Sequence, residues 1–293
     1  MRSRSRDYKV VDVFTQVPFQ GNPVAVVLDA EGLDTDAMQH IARWTNLSET
    51  TFFLPPTVAG ADYRLRIFTP LSELPFAGHP TLGSAHAALE SGRVSAREGR
   101  LVQECGVGLV DLAVRDSGGD RRIAFNLPAA AVTQLGEDDI DELEEVLGQA
   151  VVREVAPAIV DVGPVWVVAQ MPSVAALLSV QPDFARSAAF ERRLGATGIS
   201  VYAEHGSDDA SIEVRSFAPS CGVDEDPVCG SGNGCVAVFR RERGLRVSDV
   251  ASYTATQGRC VGRAGHVTVE FDETGQPIIS GACVTSVDGV LRG

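Results

Sequence analysis

Apolar and polar positions alternate through four segments near the start of the chain: YKVVDVFT, NPVAVVLD, TTFFLP and DYRLRIFTP. Each is rich in β-branched and aromatic residues, and a period of two puts alternate side chains on one face, so all four predict strands. The segment DTDAMQHIARWTN instead has an Asp or Thr in capping position and apolar residues at helical spacing, which predicts an amphipathic helix. PTLGSAHAALESG reads as a short helix with Pro near its start and Gly92 at its end. Its Leu82, Ala85, Ala88 and Leu89 leave it small and apolar nearly all round, so it predicts a buried helix. LPAAAVTQLGEDDIDELEEVLGQ, in mid-chain, reads as a Pro-containing loop followed by an acidic amphipathic helix with a solvated acidic face.

The pattern occurs twice. Glu73-Leu74-Pro75-Phe76-Ala77-Gly78-His79 aligns with Glu225-Asp226-Pro227-Val228-Cys229-Gly230-Ser231 at an offset of 152 residues, and Ala85, Glu90 and Gly92 then match Ala237, Glu242 and Gly244. Upstream, RIFTP (66–70) matches RSFAP (215–219) at an offset of 149, which implies a three-residue insertion in the second copy. NPVAVV (22–27) resembles GPVWVV (163–168). A buried helix among strands predicts a sheet curled around a central helix, and the repeat predicts two such domains. The expected class is therefore α+β with two similar, pseudo-symmetric domains. The first spans 1–125 and carries Glu49 and His79; the second spans 126–293 and carries Asp226 and Ser231, its last strand able to return to the first domain.

Composition narrows the function. A chain of 293 residues suits two domains, and 44% hydrophobic with 22% charged residues is an ordinary globular mix. A net charge of −14 disfavours nucleic acid and anionic membrane as partners. There is no apolar run long enough for a membrane helix, and the basic start leads into a strand rather than a signal sequence, so the cytoplasm is the expected compartment. Lys9 is the only lysine, which removes a Walker A lysine and a Schiff-base lysine for pyridoxal phosphate. The six cysteines form no CxxC pair and are expected to be free buried thiols. His79 and His86 could share a helix face but have no third ligand nearby in sequence, so no metal site is expected.

Both AGHPTLG and CGSGNG are glycine-rich turns feeding a buried helix. Such a helix start offers unpaired backbone N–H groups and the positive end of the dipole, and glycines let a ligand approach. It suits a carboxylate or a developing enolate-like charge, although the same glycines would also permit close helix–strand packing. Glu49, between Leu47 and Phe52–Phe53, has surroundings whose burial would raise its pKa, as suits a group that accepts and then returns a proton. Locally it also reads as an exposed strand-edge carboxylate, and Asp226 as the start of a turn before Pro227.

Four stretches, VDVFTQVPFQGNPVAVV, NLSETTFF, FTPLSELPFAGHPTLGSAHA and EDPVCGSGN, resemble the phenazine-biosynthesis PhzF-like proteins, relatives of diaminopimelate epimerase. The resemblance implies two α+β domains with an active site in the cleft, a homodimer, and neither metal nor organic cofactor. It implies that Glu49 is the catalytic acid/base, that His79 and Asp226 assist proton movement, and that Gly78, Gly230, Ser231 and Ser48 bind a small carboxylated metabolite. The expected reaction is a proton transfer that shifts a double bond. Related racemases use two facing cysteines; here Cys229 holds one position but Ala77 holds the other, which disfavours a two-thiol racemase and leaves Cys229 as an auxiliary acid/base or a packing thiol. The alternatives are an epimerase with Cys229 as one partner and a non-catalytic small-molecule binding protein.

Overall fold

The computed structural model describes residues 4–118, 120–206, 212–245 and 252–292. The chain divides into two compact units: Met1–Phe125 with Ser280–Gly293, and Asn126–Ile279. The first holds strands β1 (Ser5–Val13) and β2 (Asn22–Val27), helix α1 (Thr35–Thr45), and β3 (Glu49–Leu54), β4 (Tyr63–Phe68) and β5 (Glu73–Leu74). Helix α2 (Gly78–Glu90) follows, then β6 (Arg100–Cys105), β7 (Gly108–Ser117) and β8 (Asp120–Asn126). The second begins with β9 (Ala131–Gln134), α3 (Glu137–Leu147), β10 (Ala158–Asp161), β11 (Val165–Gln170), α4 (Val174–Ser179) and α5 (Phe184–Leu194). It continues with β12 (Gly198–Glu204), β13 (Ile212–Ala218), β14 (Val223–Asp226), α6 (Gly230–Glu242), β15 (Ser252–Gln257) and β16 (Gly265–Phe271). The last strand, β17 (Pro277–Arg292), begins in the second unit and ends in the first.

In the first unit the strand pairings close on themselves. β2 pairs with β1 and, in parallel, with β3; β3 pairs with β4; β4 runs parallel to β6; and β7 and β8 follow. β17 pairs with both β8 and β1 and completes the ring. Helix α2 packs on β1, β2, β3 and β4, and every residue from Gly78 to Ala88 is buried. The close fit explains Gly83: a Cβ there would lie 2.4 Å from Val24 Cγ1 and 2.9 Å from Val13 Cγ2. The helix starts two residues before Pro80, whose missing N–H is harmless in the first turn. Helix α1 covers the outside: the Asp34 carboxylate accepts from Ala37 N, and Met38 and Ala42 pack with Val27, Phe52 and Phe68.

The second unit repeats this order of pairings. β10 with β11, β11 parallel to β12, β12 with β13, β13 parallel to β15, and β15 with β16 copy the first unit's sequence. Helices α2 and α6 are both 13 residues long and start 152 residues apart. The three-residue insertion falls between Pro219 and Glu225, in the stretch that forms the 3-10 turn Pro219–Cys221 and the start of β14. Two features depart from the sequence expectation. The mid-chain loop contains a strand, because Ala131–Gln134 pairs antiparallel with β10 and so satisfies its backbone. The second unit also has helices α4 and α5 where the first has only α1. With α3 they bury Ile140, Leu143, Leu177 and Phe190 against Val167, Ala169, Ile199, Val201 and Phe217. The acidic residues of α3 are exposed for the most part, as expected, but are paired: Glu144 with Arg153, Glu145 with Arg186 and Glu142 with Arg193.

Each unit pins the hairpin that leads into its central helix with an Arg–Glu fork. Arg66 donates twice to Glu73, and Arg215 twice to Glu225, and each guanidinium lies over a Phe ring, Phe68 or Phe217. Only the second fork is deeply buried, with side chains 5% and 8% exposed against 17% and 39% in the first. Arg215 also donates to the carbonyls of Leu177 and Val180 at the end of α4. Arg215→Ala strands a buried carboxylate and is expected to cost about 3–5 kcal/mol, whereas Arg66→Ala costs about 1 kcal/mol or less. Urea unfolding of the two variants checks this, and equal losses would contradict it.

Candidate active site

The first unit brings Glu49, His79 and Ser48 together. Glu49 opens β3, directly after the turn in which Asn46 adopts φ 54° to end α1. His79 is in the first turn of α2 and is buried. Its Nε2 lies 3.2 Å from Glu49 Oε2. On the other side of the ring, His79 Nδ1 is 3.4 Å from Asn22 Nδ2, at the start of β2. Burial pushes the Glu49 carboxyl up from 4.5 to about 7, and a hydrogen bond from Ser48 opposes this only in part. The carboxyl is thus half ionised near neutral pH, the condition for a group that accepts and then returns a proton. The reading of Glu49 as an exposed edge carboxylate does not hold. Gly78 has a packing reason for its missing side chain, since a Cβ would lie 2.8 Å from Phe125 Cζ.

The second unit gathers Asp226, Cys229, Gly230 and Ser231 at the start of α6. Asp226 ends β14 and its Oδ1 accepts from Val228 N at 3.0 Å, so it does shape the turn before the helix. Cys229 is the helix cap, its Sγ accepting from Gly232 N at 3.2 Å. Burial, followed by the nearby Asp226 carboxylate, pushes the Cys229 thiol well above its ordinary value, outweighing Ser231 and the Gly232 N–H. Of the two readings open for Cys229, auxiliary acid/base or packing thiol, the capping contact and the raised pKa favour the packing thiol. Ser231 Oγ accepts from Trp166 Nε1 at 3.1 Å. Gln257 holds the whole turn, accepting from Cys229 N and Asn233 Nδ2 and donating to the Asp226 carbonyl.

Asn22, Trp166 and Gln257 were given no role by sequence reasoning. Asn22 and Trp166 sit in the repeated NPVA/GPVW stretch, where their difference between copies is a usable signal; Gln257 lies 28 residues beyond Cys229, with no local mark. The cysteine expectation also needs correction, since Cys221 and Cys260 are exposed. Among the described residues no three His, Cys, Asp or Glu side chains gather as a metal site, and no helix is long and apolar enough to cross a membrane.

Two units of this topology, each built on a glycine-started buried helix, define a diaminopimelate epimerase-like α+β protein, here with a desolvated glutamate beside a histidine. A family model described as phenazine biosynthesis-like protein (PhzC-PhzF) matches residues 11–289, and the chain belongs to that family. It is 42% identical to antisense-enhancing sequence 1 of Schizosaccharomyces pombe, over 90% of each chain. It is 37% identical to a trans-2,3-dihydro-3-hydroxyanthranilate isomerase of Pseudomonas chlororaphis, over 81% of this chain and 80% of that one. A PhzF-family crystal structure from Bacillus anthracis shares the fold with a TM-score of 0.86 at 23% identity, covering 98% of this chain and 99% of that one. The chain is an isomerase of the PhzF-like kind.

The raised pKa of Glu49 has a consequence for stability. Between pH 4.5 and about 7 the folded protein holds a proton that the unfolded chain has released, so this group's contribution is lost as pH rises through that window. Glu49→Gln, with no proton to lose, is expected to differ little from wild type in pH dependence below pH 4.5 and to gain on the order of 3 kcal/mol relative to it by pH 8. Urea unfolding at pH 4 and pH 8 measures this, and a constant difference would refute it.

Proposed function

We propose that the enzyme moves a proton between two carbons of a small, unsaturated, carboxylated, amino-acid-like metabolite, shifting a double bond, with Glu49 as the proton carrier. The observation that carries this reading is the half-buried Glu49 carboxyl, poised at about 7 and 3.2 Å from His79. The named activity of the Pseudomonas relatives, isomerisation of trans-2,3-dihydro-3-hydroxyanthranilate, supports the substrate class.

Ionised Glu49 takes a proton from a carbon activated by the adjacent unsaturation, and the electron pair left behind spreads over the conjugated system. Neutral Glu49 then delivers the proton to the far end of that system, and the carboxylate is regenerated. His79, held by Asn22, keeps the carboxyl oriented and assists the transfer. Asp226 is assigned with His79 to substrate positioning and proton relay; Ser48 and Ser231, with the backbone amides near Gly78 and Gly230, are assigned to substrate contact and charge stabilisation. The same reading extends to a cytoplasmic homodimer in specialised metabolism, on family membership alone.

With trans-2,3-dihydro-3-hydroxyanthranilate in D₂O, proton NMR is expected to show double-bond migration by wild type and a loss of about 10²–10⁴-fold in Glu49→Gln. The wild-type kcat/KM is expected to rise with pH up to about 7, as the carboxyl ionises, and then level off. Undiminished turnover by Glu49→Gln would remove Glu49 as the base. An epimerase using Cys229 as base is the second reading, and the protonated capping thiol and Ala77 speak against it. Cys229→Ser is therefore expected to keep turnover within about tenfold of wild type; its abolition would favour that alternative.

A further inference from the structure

The duplicated architecture allows the two units to be compared position by position. Thr50 pairs with Phe68 in the first unit, and Ile199 pairs with Phe217 in the second, at the same offset of 149 residues that relates the two RxFxP stretches. Glu49 therefore corresponds to Gly198. By the offset of the central helices, His79 corresponds to Ser231. In the matched NPVA and GPVW stretches, Ala25 corresponds to Trp166. Where one copy carries a glutamate, a histidine and an alanine, the other carries a glycine, a serine and a tryptophan.

These three differences are physically linked. A Cβ on Gly198 would lie 2.7 Å from Trp166 Cζ3 and 2.2 Å from the Phe217 carbonyl oxygen, so the indole occupies space that a side chain at 198 would claim. The indole is almost fully buried, and its Nε1 reaches Ser231 Oγ at 3.1 Å. An indole N–H can only donate, so Ser231 must accept there and its own proton must point elsewhere. Ser231 Oγ also lies 3.6 Å from Cys229 Sγ. Sulfur is a weak acceptor, and this one already accepts from Gly232 N. The serine proton is therefore available to a better acceptor, on the second residue of a helix whose dipole favours negative charge.

We propose that Trp166 is a positioning residue that holds Ser231 as a hydrogen-bond donor for a carboxylate oxygen of the ligand, so that the positions used for proton transfer in the first unit are used for recognition in the second. This rests on the function proposed above for the choice of a carboxylate. Loss of either side chain weakens carboxylate binding by removing the same interaction.

The test uses anthranilate, the stable aromatic counterpart of the relatives' substrate. Trp44, which is exposed, and Trp166 are the only tryptophans, so a ¹⁵N-labelled sample gives two indole signals, assigned with Trp44→Phe. Anthranilate is expected to shift the Trp166 signal and leave that of Trp44 in place; in Ser231→Ala the Trp166 signal starts from a different position and no longer responds. By calorimetry, Trp166→Phe and Ser231→Ala each weaken anthranilate binding about tenfold, and the double variant is no weaker than Ser231→Ala. Ser231→Thr, which keeps the hydroxyl, retains affinity. In turnover the two single variants raise KM, keep kcat within a few-fold and leave the pH profile in place. Additive losses, a Ser231→Ala variant that binds anthranilate like wild type, or no binding by wild type overturns the proposal. Turnover that survives in Glu49→Gln removes the base and leaves the binding result standing, so the two failures are distinct.

Discussion

The enclosure of a helix with no polar face is the constraint on which the rest depends. Helix α2 buries Gly78 through Ala88, and α6 buries ten of its thirteen residues. A helix of this kind is stable only when strands surround it, and its first N–H groups then have no water to satisfy them along its sides. The small residues are the condition for close approach. At Gly83 the neighbours are valine side chains of β1 and β2, and at Gly234 a Cβ would meet Leu127 Cδ1 at 2.7 Å. The strand order, the returning C-terminal strand and the two Arg–Glu forks hold that enclosure in place.

The same desolvation acts on the chemistry. Glu49 is drawn far enough out of water for its carboxyl to rise to about 7, yet its neighbours are polar: Ser48 hydrogen-bonds it and His79 faces it. Burial without those partners would merely neutralise the group; burial with them gives a carboxyl that exists in both states near neutral pH. The fold carries this as a local loss of stability whenever the group is ionised. In the second unit the same physics gives the opposite result. Cys229 is desolvated beside a carboxylate and is held as a neutral thiol, suited to capping the helix rather than to removing a proton.

Duplication explains why one scaffold carries two chemistries. The pairing order, the length of the central helix and the Arg–Glu fork recur, and these serve packing. The residues that differ cluster where strand and helix starts meet: Glu49 against Gly198, Leu74 against Asp226, Ala77 against Cys229 and His79 against Ser231. Exchange of a side chain there leaves the strands untouched provided the volume is balanced, and Gly198 beside Trp166 shows such a balance.

Much of this was legible in the chain itself. Period-two segments marked β1 to β4, an all-apolar small-residue run marked the central helices, and motif order marked the family and the candidate Glu49, His79, Asp226 and Ser231. These are local signals, and local physics decides them. The chain did not reveal β9, whose four residues become a strand only because β10 offers an edge, or the helices α4 and α5 that cover β11 to β13. It left open whether Glu49 was exposed or desolvated and whether Cys229 was a base or a cap, because burial is a property of what lies around a residue. Asn22 on His79, Trp166 on Ser231 and Gln257 across the Asp226–Cys229 turn join residues 57, 65 and about 30 positions apart. Sequence fixed which groups were available; only the tertiary structure decided which of them meet, and with which charge.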